Sequence, residues 1–229
     1  MKRLLFTFCT TAILLAACNN DEKKDEKTGS ASTSDTSKME KMDKMDKKDE
    51  AKNDNTYTPL DSASMMKAWQ EYATPGEAHK MLAKSNGAWN ASITFWEKPG
   101  GPAQTATGTM ENKMVLGGRY QVSHITSKMM GMDFEGMGST AYDNGKKVMI
   151  STWMDNMGTG VMTMQGPWNE ASHSATLTGK EYDLSAKKDL DYKEVFTVVD
   201  DNTQTLEMYK PAPDGKEFKC MEIKYTRKK

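Results

Sequence analysis

Arg119 follows two glycines, and Asp155 sits beside Trp153 in the run Ser151-Thr152-Trp153-Met154-Asp155-Asn156-Met157-Gly158-Thr159-Gly160. An arginine and an aspartate near aromatic and thioether side chains are the parts of a small-molecule site. The charged pair fixes a polar end, and Trp153 with Met157 holds an apolar body. Arg119, Trp153, Asp155, Met157 and Thr159, with His79 from a helix upstream, are therefore the candidate ligand-binding residues. The same residues read structurally as a fold-closing Arg119–Asp155 ion pair, with Gly117, Gly118, Gly158 and Gly160 permitting tight bends.

Catalytic chemistry finds no such footing. His79, His124 and His173 stand far apart, and the chain holds no H-x-x-x-H, C-x-x-C, G-x-S-x-G or phosphate-loop motif. Asp133 and Glu135, and Asp183, Asp189 and Asp191, fall near expected turns, where carboxylates are usually solvated. No pair among them is singled out for acid–base work. The expectation is no catalytic residue, no metal site and no cofactor, and the balance leans away from an enzyme.

One cysteine has a different chemistry. Lys2 and Arg3 precede an apolar run from Leu4 to Ala17 that ends at Leu15-Ala16-Ala17-Cys18. That run is too short to cross a bilayer comfortably and has the marks of a secretory signal. Its end resembles the lipobox of bacterial lipoproteins, which implies a cleaved signal over residues 1–17 and a lipid-bearing thiol on Cys18. Thiolate nucleophilicity is what such a modification needs. Two or three acyl chains suffice for stable anchoring. The expected location is the cell envelope, on a bacterial outer membrane, with the domain outside the cytoplasm. Asp21-Glu22 resembles a surface-export signal, and the leaflet stays open. Only Cys220 remains in the domain, so no disulfide is expected there; as part of a strand it reads as a small buried hydrophobe.

Residues 18–56 contain no aromatic or β-branched aliphatic residue. Such a stretch cannot bury enough apolar surface to offset its ordering entropy, so it is expected to be a disordered charged tether. Met39, Met42 and Met45 recur every third residue, and thioethers suit Cu(I); a low-complexity spacer is the favoured reading. The whole chain carries a net charge of −1, which gives no hint of nucleic acid, and no nucleic-acid partner is expected.

These residues must be positioned by the remaining domain, residues 57–229. Asp61 or Ser62 caps a helix whose apolar face is Met65, Trp69 and Tyr72. Pro75-Gly76 breaks it, and a second short helix covers Glu77 to Lys84. Ten strand-like runs follow: 89–96, 105–116, 119–129, 132–142, 147–153, 159–168, 175–182, 192–199, 203–209 and 217–225. Asp143-Asn144-Gly145 and Pro213-Asp214-Gly215 mark hairpin turns. The fold class is all-β, mainly antiparallel, with a short N-terminal helical segment. Closure into a barrel would remove exposed edges, and a helix could cover one mouth. Met129, Met130, Met132, Met137, Met149, Met154, Met157, Met162 and Met164 fit either an adaptable cavity lining or a plain core.

A series of motifs runs through this domain in order: Thr74-Pro75-Gly76-Glu77-Ala78-His79-Lys80, Gly87-Ala88-Trp89, Val115-Leu116-Gly117-Gly118-Arg119-Tyr120, Gly136 to Gly138, Tyr142-Asp143-Asn144, Ser151 to Gly160, and Pro213-Asp214-Gly215-Lys216. The set resembles the bacterial family of domain of unknown function 1579 (DUF1579), over about Thr74 to Arg227. The resemblance implies a compact barrel of about ten strands, related in style to lipocalins and nitrobindins, and no established activity. Nitrobindin-like proteins take a haem ligand from a late strand. Here no histidine follows His173, which counts against haem and leaves His124 as a faint candidate. Two functions are weighed. One is an envelope protein that binds a small apolar or amphipathic molecule in a barrel cavity. The alternative is a structural or protein-interaction module with a filled barrel. A cavity of several hundred Å³ lined by Trp and Met separates them.

Overall fold

The computed structural model describes residues 56–229. The expected signal peptide, Cys18, the tether and its methionine triplet lie outside the described residues. Two helices come first, α1 (Ser62–Ala73) and α2 (Glu77–Lys84). Eleven strands follow: β1 (Gly87–Phe95), β2 (Gln104–Val115), β3 (Tyr120–Met129), β4 (Met132–Asp143), β5 (Val148–Asp155), β6 (Met162–Gly166), β7 (Trp168–Asn169), β8 (Ser174–Asp183), β9 (Lys188–Asp200), β10 (Thr203–Pro211) and β11 (Glu217–Arg227).

Every ladder is antiparallel, and sequence neighbours pair from β1 to β6 and from β8 to β11. Two further ladders shut the ring: β1 with β11, and β6 with β8, where Thr163, Met164 and Gln165 face Lys180, Gly179 and Thr178. Ten strands thus form a closed antiparallel barrel, as the sequence pattern indicates, with β7 a two-residue strand beside β8. The expected strand over residues 159–168 is in fact interrupted. Pro167 lacks the N–H a ladder needs, so β6 stops at Gly166 and β7 begins at Trp168. At the seam the backbones come so close that a Cβ on Gly166 would lie 1.9 Å from the Thr176 oxygen, and one on Gly179 2.2 Å from the Thr163 oxygen. Glycine alone fits both positions.

Alternation places one side of each strand inside. On β1 it buries Trp89, Ala91 and Ile93. The interior holds two apolar clusters. One joins these three residues to Met110, Ile125, Ile223 and Tyr225; the other comprises Leu82, Met149, Met164, Ala175 and Leu177.

The second cluster includes Leu82 because α2 stoppers one end of the barrel. The helix starts where Gly76 N–H donates to His79 Nδ1 at 3.0 Å, so His79 caps its own helix. His79 is also buried, edge-on to Tyr142. Burial of Leu82 contributes about 2 kcal/mol. The C-terminal carbonyls of α2 and its cap are taken by the barrel: Gln121 Nε2 donates to Leu82 O (2.6 Å), Trp89 Nε1 to Ser85 O (2.9 Å) and Asn112 Nδ2 to Ser85 O (3.2 Å). Arg227 completes the clamp. Its guanidinium donates to Lys84 O (2.7 Å) and Asn86 O (2.8 Å) and lies 4.2 Å from the Trp89 ring centroid. A cation at a helix C-terminus also suits the helix dipole.

The first helix behaves differently from its pattern. Asp61 Oδ1 caps it, accepting from Ala63 and Ser64 N–H at 3.0 Å each. Yet Met65, Trp69 and Tyr72 remain exposed, so the apolar stripe packs on no core. Its C-terminal end is fixed by Asn144, whose Nδ2 donates to Tyr72 O (3.0 Å) and Thr74 O (2.8 Å). That duty alters the hairpin expected at Asp143-Asn144-Gly145. The loop closes four residues on, with Lys147 N–H donating to Asp143 O at 2.7 Å. The left-handed residue is Lys147 (φ 60°), not Gly145.

Candidate functional site

A cavity of about 350 Å³ occupies the barrel interior. It runs from Leu82 at the α2 end to Met129, Phe134 and Asp155 at the opposite end, where the loops after β1, β3, β5, β8 and β10 lie. Its wall is mostly apolar, with Met110, Met129, Met149, Met162, Met164, Met208 and Met221 among the lining residues. Thioether side chains repack around irregular guests at little cost.

Trp153 and Asp155 both line this space. The Trp153 indole lies over Gly136, where a Cβ would come within 2.2 Å of its ring, and beside Gly138, where one would meet Thr152 O at 2.9 Å and the ring at 3.1 Å. It stacks on Phe134 at 6.5 Å between centroids, and its Nε1 donates to Asp155 Oδ2 at 2.9 Å. Asp155 Oδ1 accepts from Met157 N–H at 2.9 Å, so both carboxylate oxygens are engaged in holding the indole and the following turn.

The other expected site residues do not join them. Arg119 is exposed in the β2–β3 turn and donates to Leu116 O at 3.1 Å. That turn sits at the α2 end, whereas Asp155 ends β5 at the other. Alternating hairpins put the two on opposite rims, so the Arg119–Asp155 pair does not form. Leu116, Gly117 and Gly118 in this turn have φ of 49°, 68° and 82°, so the two glycines serve the bend. Met157 and Thr159 are exposed in the loop after β5, and His79 lies in α2 off the cavity wall. His124 points outward to Glu135, at 2.8 Å. Met130, Met132, Met137, Met154 and Met157 are exposed as well.

The cavity also holds polar groups that motif searching passes over. Asn112, Gln121 and Gln204 line its α2 end and turn their NH₂ groups toward α2 and its cap, Gln204 donating to Ser85 Oγ at 2.6 Å. With Asn112 oriented this way, its Oδ1 is buried and has no hydrogen-bond partner. Glu194 lines the wall from β9 with only 9% of its surface exposed, and among the described residues nothing donates to its carboxylate. Burial alone pushes its pKa up to about 7. Tyr225, opposite Gln204 on β11, has its pKa raised by burial and then by the charge of Glu194. The signal for Glu194 was present in Tyr192-Lys193-Glu194-Val195-Phe196. Alternation sets the glutamate on the same side as Tyr192 and Phe196.

Two polar groups lie elsewhere. Asp183 was expected to be solvated, but it is buried at the end of β8. Lys210 Nζ lies 2.7 Å from Oδ2, and its oxygens also accept from Ser185 and Tyr192. These bonds, Lys210 first, hold its pKa well below the carboxylate range. Cys220 is half-buried with its Sγ 3.4 Å from Met208 O, and burial raises the thiol pKa. Such a thiol is a weak nucleophile. Among the described residues, no group of three His, Cys, Asp or Glu could hold a metal ion. No helix among them is long and apolar enough to cross a membrane.

Residues 74–227 match the family described as "Protein of unknown function (DUF1579)". No protein with a curated description matches. Among solved structures, the crystal structure of Rv2717c from M. tuberculosis is similar with a TM-score of 0.50 and 11% identity, covering 68% of this chain and 100% of that one. The S-type phycobiliprotein lyase CPES from Guillardia theta gives a TM-score of 0.46 at 8% identity, over 70% and 97% of the two chains. A redesigned beta barrel gives 0.35 at 11% identity, over 65% and 96%. At these identities the first likeness speaks to the fold alone.

Proposed function

Because the chain belongs to the DUF1579 family, whose description assigns no activity, we propose its function from the cavity: it is a binding protein for a small apolar or amphipathic molecule. The observation that carries this reading is the internal space of about 350 Å³, walled by methionines, Trp153 and aliphatic side chains. That volume is in the range of ligand sites, and a few polar groups set within an apolar wall are their usual means of orientation. A filled barrel acting only through its outer surface would leave no such space. Close packing is the rule in protein interiors, so a void of this size needs a reason.

We further infer that the protein works at the bacterial envelope, anchored through lipid on Cys18. Support comes from Leu15-Ala16-Ala17-Cys18 and from the charged stretch that follows. Native mass spectrometry of the full-length chain, purified without added ligand, tests the binding function. The expected spectrum has a second population heavier by one small apolar molecule, released by organic extraction. A single unliganded mass, together with no uptake of a neutral apolar dye, overturns it. For the anchor, Cys18→Ser is expected to move the protein from the detergent phase to the aqueous phase on Triton X-114 partition. Unchanged partition removes that part of the reading.

A further inference from the structure

The wall of the cavity has a definite electrostatic sign. Among the described residues no Lys, Arg or His lines it, and its titratable side chains are Asp155, Glu194 and Tyr225. Asp155 is spoken for by Trp153 Nε1 and Met157 N–H. The three amides at the closed end spend donors on α2 and its cap. What remains for a guest is one charge, the Glu194 carboxylate, and one buried acceptor, Asn112 Oδ1 on a side chain that is 4% exposed, beside the neutral hydroxyls of Ser123, Thr140, Ser151 and Tyr225.

We propose that the cavity selects amphiphiles whose buried head is a cationic hydrogen-bond donor, of the alkylammonium kind, paired with the Glu194 carboxylate, and that it rejects carboxylate-headed chains. This inference rests on the binding function proposed above and names the class of ligand. A carboxylate buried without a partner is costly, and a cation that meets it removes that cost while forming a charge-assisted hydrogen bond. A second carboxylate brought to the same wall meets like charge and finds no compensating cation. The apolar body of the guest lies along the methionines and Trp153. Asn112 Oδ1 offers a further acceptor toward the α2 end.

Charge on Glu194 is the switch. Its cross-strand partners are Leu177 on β8 and Met208 on β10, neither titratable. Tyr225 on β11 is the titratable group whose charge it influences, and the raised pKa of that phenol keeps it neutral through the physiological range. Asp155 lies at the opposite end of the cavity from α2, and His79 on α2 stands off the wall. An alkylammonium, like a lysine side chain, keeps its charge throughout this range, so loss of binding on acidification reports the protein's carboxylate.

The test is displacement of Nile red, a neutral apolar dye, from the purified full-length chain by dodecylammonium, dodecanol and dodecanoate below their micellar concentrations. At pH 8, dodecylammonium is expected to displace the dye at about one-tenth the concentration that dodecanoate requires, with dodecanol between them. Glu194→Gln brings dodecylammonium to the level of dodecanol. Lowering the pH to 5.5 does the same in the unmodified protein, an arm that needs no variant to fold. Equal or stronger binding of dodecanoate at pH 8 overturns the selectivity and leaves the binding function standing. So does an ammonium preference untouched by both Glu194→Gln and acid. If neither the dye nor any of the three chains binds, the binding function falls and the selectivity with it.

Discussion

Glu194 is a carboxylic acid kept in an apolar wall with no donor to meet it, and that has a thermodynamic signature. Its native pKa of about 7 lies above the unfolded value near 4.5. The native state therefore holds the proton more tightly. The contribution to stability is complete below the unfolded pKa and is lost as pH rises through the native one. Thermal unfolding of ligand-free protein is expected to show falling stability between about pH 5 and pH 8, with up to roughly 3 kcal/mol attributable to this residue. Glu194→Gln flattens that slope and raises the melting temperature at pH 8; a slope identical in the variant assigns it elsewhere. This residue also marks where reading the sequence stops short. Trp153 and Asp155 are legible because an aromatic beside an acid in a glycine-rich run stands out. Arg119, Met157, Thr159 and His79 share motifs or neighbourhood with them, but which rim of a barrel a residue occupies depends on counting hairpins, which motifs do not encode. Glu194 carries no motif, and only its parity with Tyr192 and Phe196 gives it away.

At the scale of elements, α2 and β11 are joined by one side chain. Arg227 grips the carbonyls of Lys84 and Asn86 and covers Trp89. Replacing it with alanine leaves those carbonyls without their donor and is expected to cost about 2–3 kcal/mol, read as an earlier urea midpoint. Arg227→Lys recovers less than half of this, since an ammonium cannot reproduce the planar fork. Equal midpoints for wild type and Arg227→Ala would make the clamp incidental. The short second helix was legible to the residue, because Pro75-Gly76 and Asn86-Gly87 punctuate both ends. The resting place of α1 was not. Its stripe of Met65, Trp69 and Tyr72 has helical spacing, but spacing says only that the residues share a face. Asn144 reads as a hairpin residue, and its service to the end of α1 is a tertiary contact that local turn chemistry cannot reveal.

For the whole molecule, the decisive event is closure of the ring between β6 and β8. Only three residue pairs make that seam, and Gly179 lets the backbones meet there. Gly179→Ala sets a methyl group 2.2 Å from the Thr163 oxygen. A destabilisation of about 1–3 kcal/mol is expected, together with faster amide hydrogen exchange confined to residues 162–166 and 177–180. Unchanged exchange there would mean that the seam tolerates the extra bulk. Closure itself was legible, since ten period-two runs joined by tight turns leave two edges that favour one another. The broken register at Pro167 was not, because a proline can end a strand or merely sit at its rim.

The stopper formed by α2 gives the barrel a dead end. The other end of the chamber lies beside Phe134 and Trp153, and a guest that enters there must back out along the path by which it came. Whatever part of it went in first leaves last, so the deepest contacts govern how long it stays, and an exchange of guests has to pass through a moment when the chamber is vacant.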